Sequence, residues 1–190
     1  MLNTDIVILA AGKGTRMRST LPKVLHPLAG QPLLGHVLKA AQTAVGAKII
    51  VVTGHGGEQV ERSIGDADIL WVKQPQQLGT AHAAQCALPH LREDARVLIL
   101  YGDVPLIDPR TIGAMLETVS KVQIGLLTVE LADPTGYGRI LRDTANSIEA
   151  IVEQKDASPE QLQINEVNTG VMALSSQQLK DWLPQIDNQN

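Results

Sequence analysis

Phenylalanine is absent from the 190 residues, and tyrosine and tryptophan occur only twice each. Proteins that hold single-stranded nucleic acid stack bases on such rings, and duplex binders need a basic face, whereas the net charge here is −4. Binding of nucleic-acid polymers is therefore not expected, although single nucleotides stay open as ligands. Cysteine occurs once, at Cys86, so no internal disulfide can form. Its surroundings, A-A-Q-C-A-L over residues 83–88, suit a small buried hydrophobe. No apolar run approaches the roughly 18 residues of a membrane span, and the N-terminus has no basic segment leading into an apolar one. Neither export nor membrane insertion is expected, and a cytoplasmic location is. H-E-x-x-H, C-x-x-C and G-x-S-x-G are all missing, which leaves zinc and Ser-His-Asp chemistry without a motif. The histidines, His26, His36, His55, His82 and His90, stand apart without metal-ligand spacing, and His55, set among glycines, reads as a turn residue.

The chain is long enough for one domain with a substantial core, and 44% hydrophobic residues place it among globular proteins. A single domain over residues 1–190 is expected. Apolar runs rich in β-branched residues at 5–9, 48–53, 69–72, 96–101 and 124–130 read as buried strands. Between them, helical periodicity runs from Leu33 to Val45 with Pro32 at the first position, from 58 to 64, from 81 to 88 and from 109 to 119. Strands alternating with helices predict an α/β fold: a Rossmann-like, mostly parallel sheet with helices on both faces.

The first strand runs into L-A-A-G-K-G-T-R-M over residues 9–17, with Leu21-Pro22-Lys23 shortly after. Gly12 and Gly14 allow close backbone approach and outward N–H groups, and Lys13, Arg16 and Lys23 add cations. The set suits a polyphosphate, but the residues alone also allow a glycine-rich turn with solvated cations. It is neither a Walker loop nor the dinucleotide fingerprint, whose third glycine is replaced by Met17. From Ala11 to Pro32 no clear period appears and three prolines interrupt, a length of irregular chain that points to function.

Other strand ends carry polar residues, and in open α/β sheets ligands gather there. Q-P-Q-Q-L-G-T over residues 74–80 offers amides that can read a base edge, or is a surface loop with Thr80 as helix cap. Asp103, directly after the strand ending at Tyr101, can hold a hard cation against phosphates or simply form a turn before Val104-Pro105. The segment 133–140, with glycines flanking Tyr137, reads as a close approach or a hairpin entry. Residues 148–156 alternate weakly, residues 166–174 read as a strand, 179–183 as a short helix, and 187–190 carry no signal.

The run L-A-A-G-K-G-T-R-M with L-P-K resembles the signature of sugar-1-phosphate nucleotidyltransferases. Within them it is most similar to the N-terminal uridylyltransferase domain of bacterial bifunctional enzymes that also carry a glucosamine-1-phosphate acetyltransferase. The likeness extends over nearly the whole chain through Q-x-x-x-L-G-T, Y-G-D, Y-G-R, I-V-E-x-K-D-A and N-T-G. It implies a nucleotide-diphospho-sugar transferase fold and UMP transfer from UTP to N-acetylglucosamine 1-phosphate, giving UDP-N-acetylglucosamine and pyrophosphate with Mg2+. By resemblance, Arg16, Lys23 and Asp103 are catalytic, and Asp103 binds the metal. Leu9, Ala10, Ala11, Gly12 and Gly14 cradle the nucleotide with Lys23; Gln74 and Gly79 contact the base, with Thr80 adjacent; Tyr101 and Gly102 lie beside the ligand; and Gly138, Glu153 and Asn168 line the amino-sugar pocket. The family's domain continues past 190 with an Asn on the metal and then hexapeptide repeats, so a truncated domain, and homotrimers only in the full-length protein, are expected. Sister transferases for another base or sugar, and a non-catalytic nucleotide-sugar sensor, are the alternatives the same motifs allow.

Overall fold

A computed structural model describes residues 3–12, 14 and 17–186. It forms two compact units, one built from the chain up to Gly125 together with the residues from Met172 onward, the other from Leu126–Val171.

The first unit is organised on strand β1 (Thr4–Ala10), all seven residues of which are buried. Its apolar run pairs in parallel with β4 (Lys48–Thr53) on one side and β6 (Arg96–Tyr101) on the other, Ile6 standing opposite Ile49 and Leu98. Strand β5 (Ile69–Lys73) extends the sheet beyond β4, again in parallel. The far side of β6 is closed by the antiparallel C-terminal part of β10 (Glu166–Ser175), giving the order β5-β4-β1-β6-β10.

Val7, Leu9, Ile50, Val52, Val97 and Ile99 share a core with α3 (Thr80–Ala87) and with Leu179 of α5 (Ser176–Trp182). Ile6, Ile8, Val51, Leu98 and Leu100, of the opposite parity, are equally buried. Side chains alternate across a strand, so burial of both parities means that both faces are covered, as a parallel sheet requires. Helix α1 (Leu33–Ala41) buries Leu34, Val37 and Leu38 and packs with α4 (Pro109–Glu117), which lies against β6; α2 (Gly57–Ile64) buries Val60. The expected α/β architecture is thus present. Asp5, without solvent exposure, accepts from the backbone N–H of Arg92 at 2.7 Å and from its Nε at 2.6 Å, so a buried carboxylate ties β1 to the segment leading into β6.

The second unit is antiparallel. Strands β8 (Arg139–Arg142) and β9 (Ile148–Val152) form a hairpin with a bulge at Leu141/Arg142, and Val167 of β10 pairs with Arg139. Strand β7 (Gly125–Glu130) pairs with β10. Glu166 receives Arg142 through Nε at 2.8 Å and Nη2 at 2.7 Å, and the Thr128 hydroxyl at 2.7 Å. These bonds hold its carboxyl down at about 2.

Three local readings differ. The helix read from Leu33 to Val45 ends at Ala41, where turns bonded to Ala40 and Ala41 carry the chain to Gly46. Thr80 is the first helical residue rather than the cap, which is Gly79 at φ 99°. The irregular stretch contains a two-strand ladder, β2 (Pro27–Leu28) with β3 (Gln31–Pro32), and a 3-10 turn at Lys23–Leu25. Among the described residues no helix is long and apolar enough to cross a membrane.

Candidate active site

The carboxyl ends of β1, β5 and β6 open onto a cleft of about 480 Å³ in the first unit. Its floor is Leu9, Ala10 and Ala11 at the end of β1, followed by Gly12 and Gly14. Gly14 adopts φ 58°, and a Cβ there would sit 2.8 Å from Cβ of Lys23, so only glycine lets the two loop segments pass this closely. Lys23 opens the 3-10 turn that Val24 and Leu25 anchor in the core, which fixes the base of its side chain.

Opposite stands Asp103, held by its neighbours. The N–H of Gly102 donates to the Leu9 carbonyl at 2.9 Å, and that of Val104 to the Tyr101 carbonyl at 3.2 Å. A Cβ on Gly102 would meet Ala10 and Val24 at 3.2 Å, so Gly102 packs behind the cleft and brings Asp103 to its edge. There the carboxylate forms an ion pair with the Lys23 ammonium; both side chains keep partial exposure. Tyr101 lines the same wall, and burial raises its phenol pKa, with the Thr80 side chain pulling the other way and the Asp103 charge adding to the rise. The phenol therefore stays neutral at ordinary pH.

The third wall is the 74–80 segment. Gln74, only 4% exposed, continues the β4–β5 ladder by donating its N–H to the Thr53 carbonyl at 2.7 Å. Its amide Nε2 donates to the Gly79 carbonyl at 3.1 Å and lies 3.0 Å from His82 Nδ1. Gln77 reaches across to β1, its Nε2 donating to the Ala11 carbonyl at 2.5 Å. Gly79 and Thr80 complete this side. Gln74 and Gln77 also border a neighbouring cleft of about 780 Å³, lined by the 53–59 turn, Glu61, Arg62, Lys73 and Pro75.

Of the residues expected at the nucleotide site, Leu9, Ala10, Ala11, Gly12, Gly14, Lys23, Gln74, Gly79, Thr80, Tyr101 and Asp103 line this one cleft. Arg16 lies outside the described residues. Gly138, Glu153 and Asn168 fall in the second unit and come together there: the N–H of Asn168 donates to the Gly138 carbonyl at 2.9 Å, and Glu153 Oε1 stands 3.2 Å from where a Cβ on Gly138 would be. Gln77 and His82 carry geometry that no sequence motif assigns them. Gln77 lies inside the quoted Q-x-x-x-L-G-T run, so its position was the available signal; nothing marked His82.

A single carboxylate beside an open, cation-bearing cleft suits Mg2+, which is commonly held by one or two carboxylates plus substrate phosphates. Among the described residues no cluster of three His, Cys, Asp or Glu side chains could cage a metal. Asp103 is the one expected metal ligand, and it lies on the cleft.

Comparison with known proteins gives the arrangement a family context. A family model of the MobA-like NTP transferase domain matches residues 6–158. The bifunctional protein GlmU of Cellvibrio japonicus is 56% identical over 186 residues, 98% of this chain and 41% of its own length. That of Acinetobacter baylyi is 53% identical over 189 residues, 100% of this chain and 41% of its own. The chain thus spans about two fifths of the length of these curated relatives. A crystal structure of HddC from Yersinia pseudotuberculosis, complexed with GMP-PN, shares the fold at a TM-score of 0.68 and 22% identity, covering 96% of this chain and 80% of that one.

Proposed function

The chain belongs to the MobA-like NTP transferase family, and from that premise we propose that it transfers UMP from UTP to N-acetylglucosamine 1-phosphate. The attacking group is an oxygen of the sugar phosphate. It forms a bond to the α-phosphorus of UTP as the bond to the bridging oxygen breaks, and that oxygen leaves with its electron pair as pyrophosphate. The attacker is already an anion, so no side-chain nucleophile or general base is required. The protein's work is alignment and neutralisation of charge.

Lys23 supplies a cation that can turn from Asp103 to a phosphate, and outward N–H groups at Gly12 and Gly14 suit phosphate oxygens. Asp103 would hold Mg2+, which when bound supplies further neutralisation of the triphosphate. Arg16 is assigned to the phosphates by resemblance. Gln74 and Gly79 take the base, with Thr80 adjacent. Gly138, Glu153 and Asn168, with a main-chain carbonyl, a carboxylate and an amide close together, have the chemistry to hold an amino sugar's hydroxyl and acetamido groups.

The observation that carries this reading is the Lys23–Asp103 pair set at one cleft with the Gly12 and Gly14 loop. It is tested by pyrophosphate release from UTP and N-acetylglucosamine 1-phosphate, with Lys23→Ala and Asp103→Ala as variants. Loss of at least about 100-fold in turnover with the fold retained is expected, the usual cost of one preorganised charge contact. Near-normal turnover in either variant refutes the role of that residue.

A further inference from the structure

We infer that His82 is a positioning residue that fixes which end of the Gln74 side chain faces the nucleobase, and so makes the site select a base with a protonated ring nitrogen. The inference rests on the nucleotide-binding reading of this cleft and deepens it.

A glutamine amide has two ends of nearly equal shape, one donating and one accepting, and in isolation it can present either. The Gly79 carbonyl can only accept, so the group facing it at 3.1 Å is Nε2. The same nitrogen lies 3.0 Å from His82 Nδ1. An amide NH2 can only donate, so Nδ1 accepts and the imidazole proton sits on Nε2. Both amide hydrogens are thereby engaged inside the protein. The remaining group, Oε1, has no donor among the described residues, and Gln74 borders the cleft.

Composition alone credits Gln74 with a donor and an acceptor for a base edge; the structure leaves it an acceptor only. Uracil and thymine present a protonated N3, and guanine a protonated N1, each able to donate to Oε1. Cytosine presents a lone pair at N3, which faces Oε1 with repulsion and no bond. Without His82 one amide hydrogen of a residue that is 4% exposed loses its partner, and the amide is held in register by Gly79 alone.

Binding of UTP and CTP by calorimetry, in wild type and in His82→Leu and His82→Asn variants of the full chain, tests this. Wild type favours UTP. His82→Leu, which keeps bulk but cannot accept, is expected to lower the UTP-over-CTP ratio by about tenfold, the effect of one net hydrogen bond at the upper end of its usual range. His82→Asn, whose side-chain oxygen falls near the place of Nδ1, restores the ratio. A wild-type ratio in His82→Leu, or no preference in wild type, overturns the inference. Should His82→Leu fail to fold, nitrogen NMR of the wild-type imidazole decides: a proton on Nε2 supports the assignment, and a proton on Nδ1 at neutral pH overturns it. Pyrophosphate release by wild type is read separately. A protein that prefers UTP but releases none counts against UMP transfer, whereas turnover with an unchanged His82→Leu ratio counts against this role of His82.

Discussion

Substituting Gly54 by alanine puts a methyl group where three loops meet. Gly54 follows β4, and a Cβ there would lie 2.6 Å from Gln77 Nε2, 2.7 Å from the Ala11 carbonyl oxygen and 3.2 Å from Ala11 Cβ. Ordinary contacts are nearer 3.5 Å, so roughly 0.8 Å of movement is needed. Ala11 extends from the fully buried β1 and is poorly placed to yield. Gln77 is the softer neighbour, and its retreat breaks the 2.5 Å bond to the Ala11 carbonyl that ties the 74–80 segment to the start of the glycine loop. Overpacking costs about 1–3 kcal/mol and the lost hydrogen bond about 1 kcal/mol, so destabilisation of roughly 2–4 kcal/mol is expected. For a chain of this length each kcal/mol lowers the melting temperature by about 2–4 °C, and a fall of roughly 4–16 °C should be visible by circular dichroism. Gly12→Ala is the control, because a Cβ there meets nothing within 4 Å. Gly54→Ala melting within about 1 °C of wild type would refute the steric argument, since even the low end of the overpacking cost exceeds that.

The same Gly12→Ala variant is expected to melt like wild type yet bind UTP about tenfold more weakly, because the loop leaves space there for a ligand and none for a methyl beside it; unchanged affinity would show that Gly12 does not approach the nucleotide. Lys23→Ala should change folding stability by less than about 1 kcal/mol, as partly exposed ion pairs do, while turnover collapses; a large stability loss in urea titration would recast the pair as structural. Arg92→Ala removes the cation from the fully buried Asp5 carboxylate and should cost about 3 kcal/mol or more in the same titration, and a loss below about 1 kcal/mol would contradict it. Glu166 gains stability by having its folded pKa lowered to about 2, so its contribution is complete above its ordinary value near 4.5 and is lost as pH falls from there through 2. A Glu166→Gln variant should therefore lose the part of the wild-type acid slope in that window, and identical slopes would exclude the carboxylate as its source.

Much of the first unit is legible in the sequence for a plain reason. Strands buried on both faces need no alternation, so β1, β4 and β6 stand out as unbroken apolar runs closed by glycine or aspartate, and their ends locate the site. Strand β8 escaped because it opens on Arg139, a buried arginine whose Nη2 reaches Gln154 while its Nε has no partner among the described residues; no apolar pattern announces such a residue. Thr80 has the chemistry of a cap, yet the φ of 99° that the chain needs at that turn belongs to Gly79. Lys23 was legible as a cation following the glycine loop and Asp103 as a carboxylate at a strand end, although their pairing is a tertiary fact. The orientation of Gln74 was not legible, since it depends on a carbonyl five residues on and an imidazole eight residues on, brought together by the turn into α3.

Titration of UTP against the wild-type chain and against Asp103→Ala, each with and without Mg2+, bears most directly on the cleft as a nucleotide site. Binding that strengthens at least about tenfold with Mg2+ in wild type, and loses that gain in Asp103→Ala, is the expected result. UTP affinity that is absent in wild type, or equally Mg2+-dependent in the variant, would contradict it.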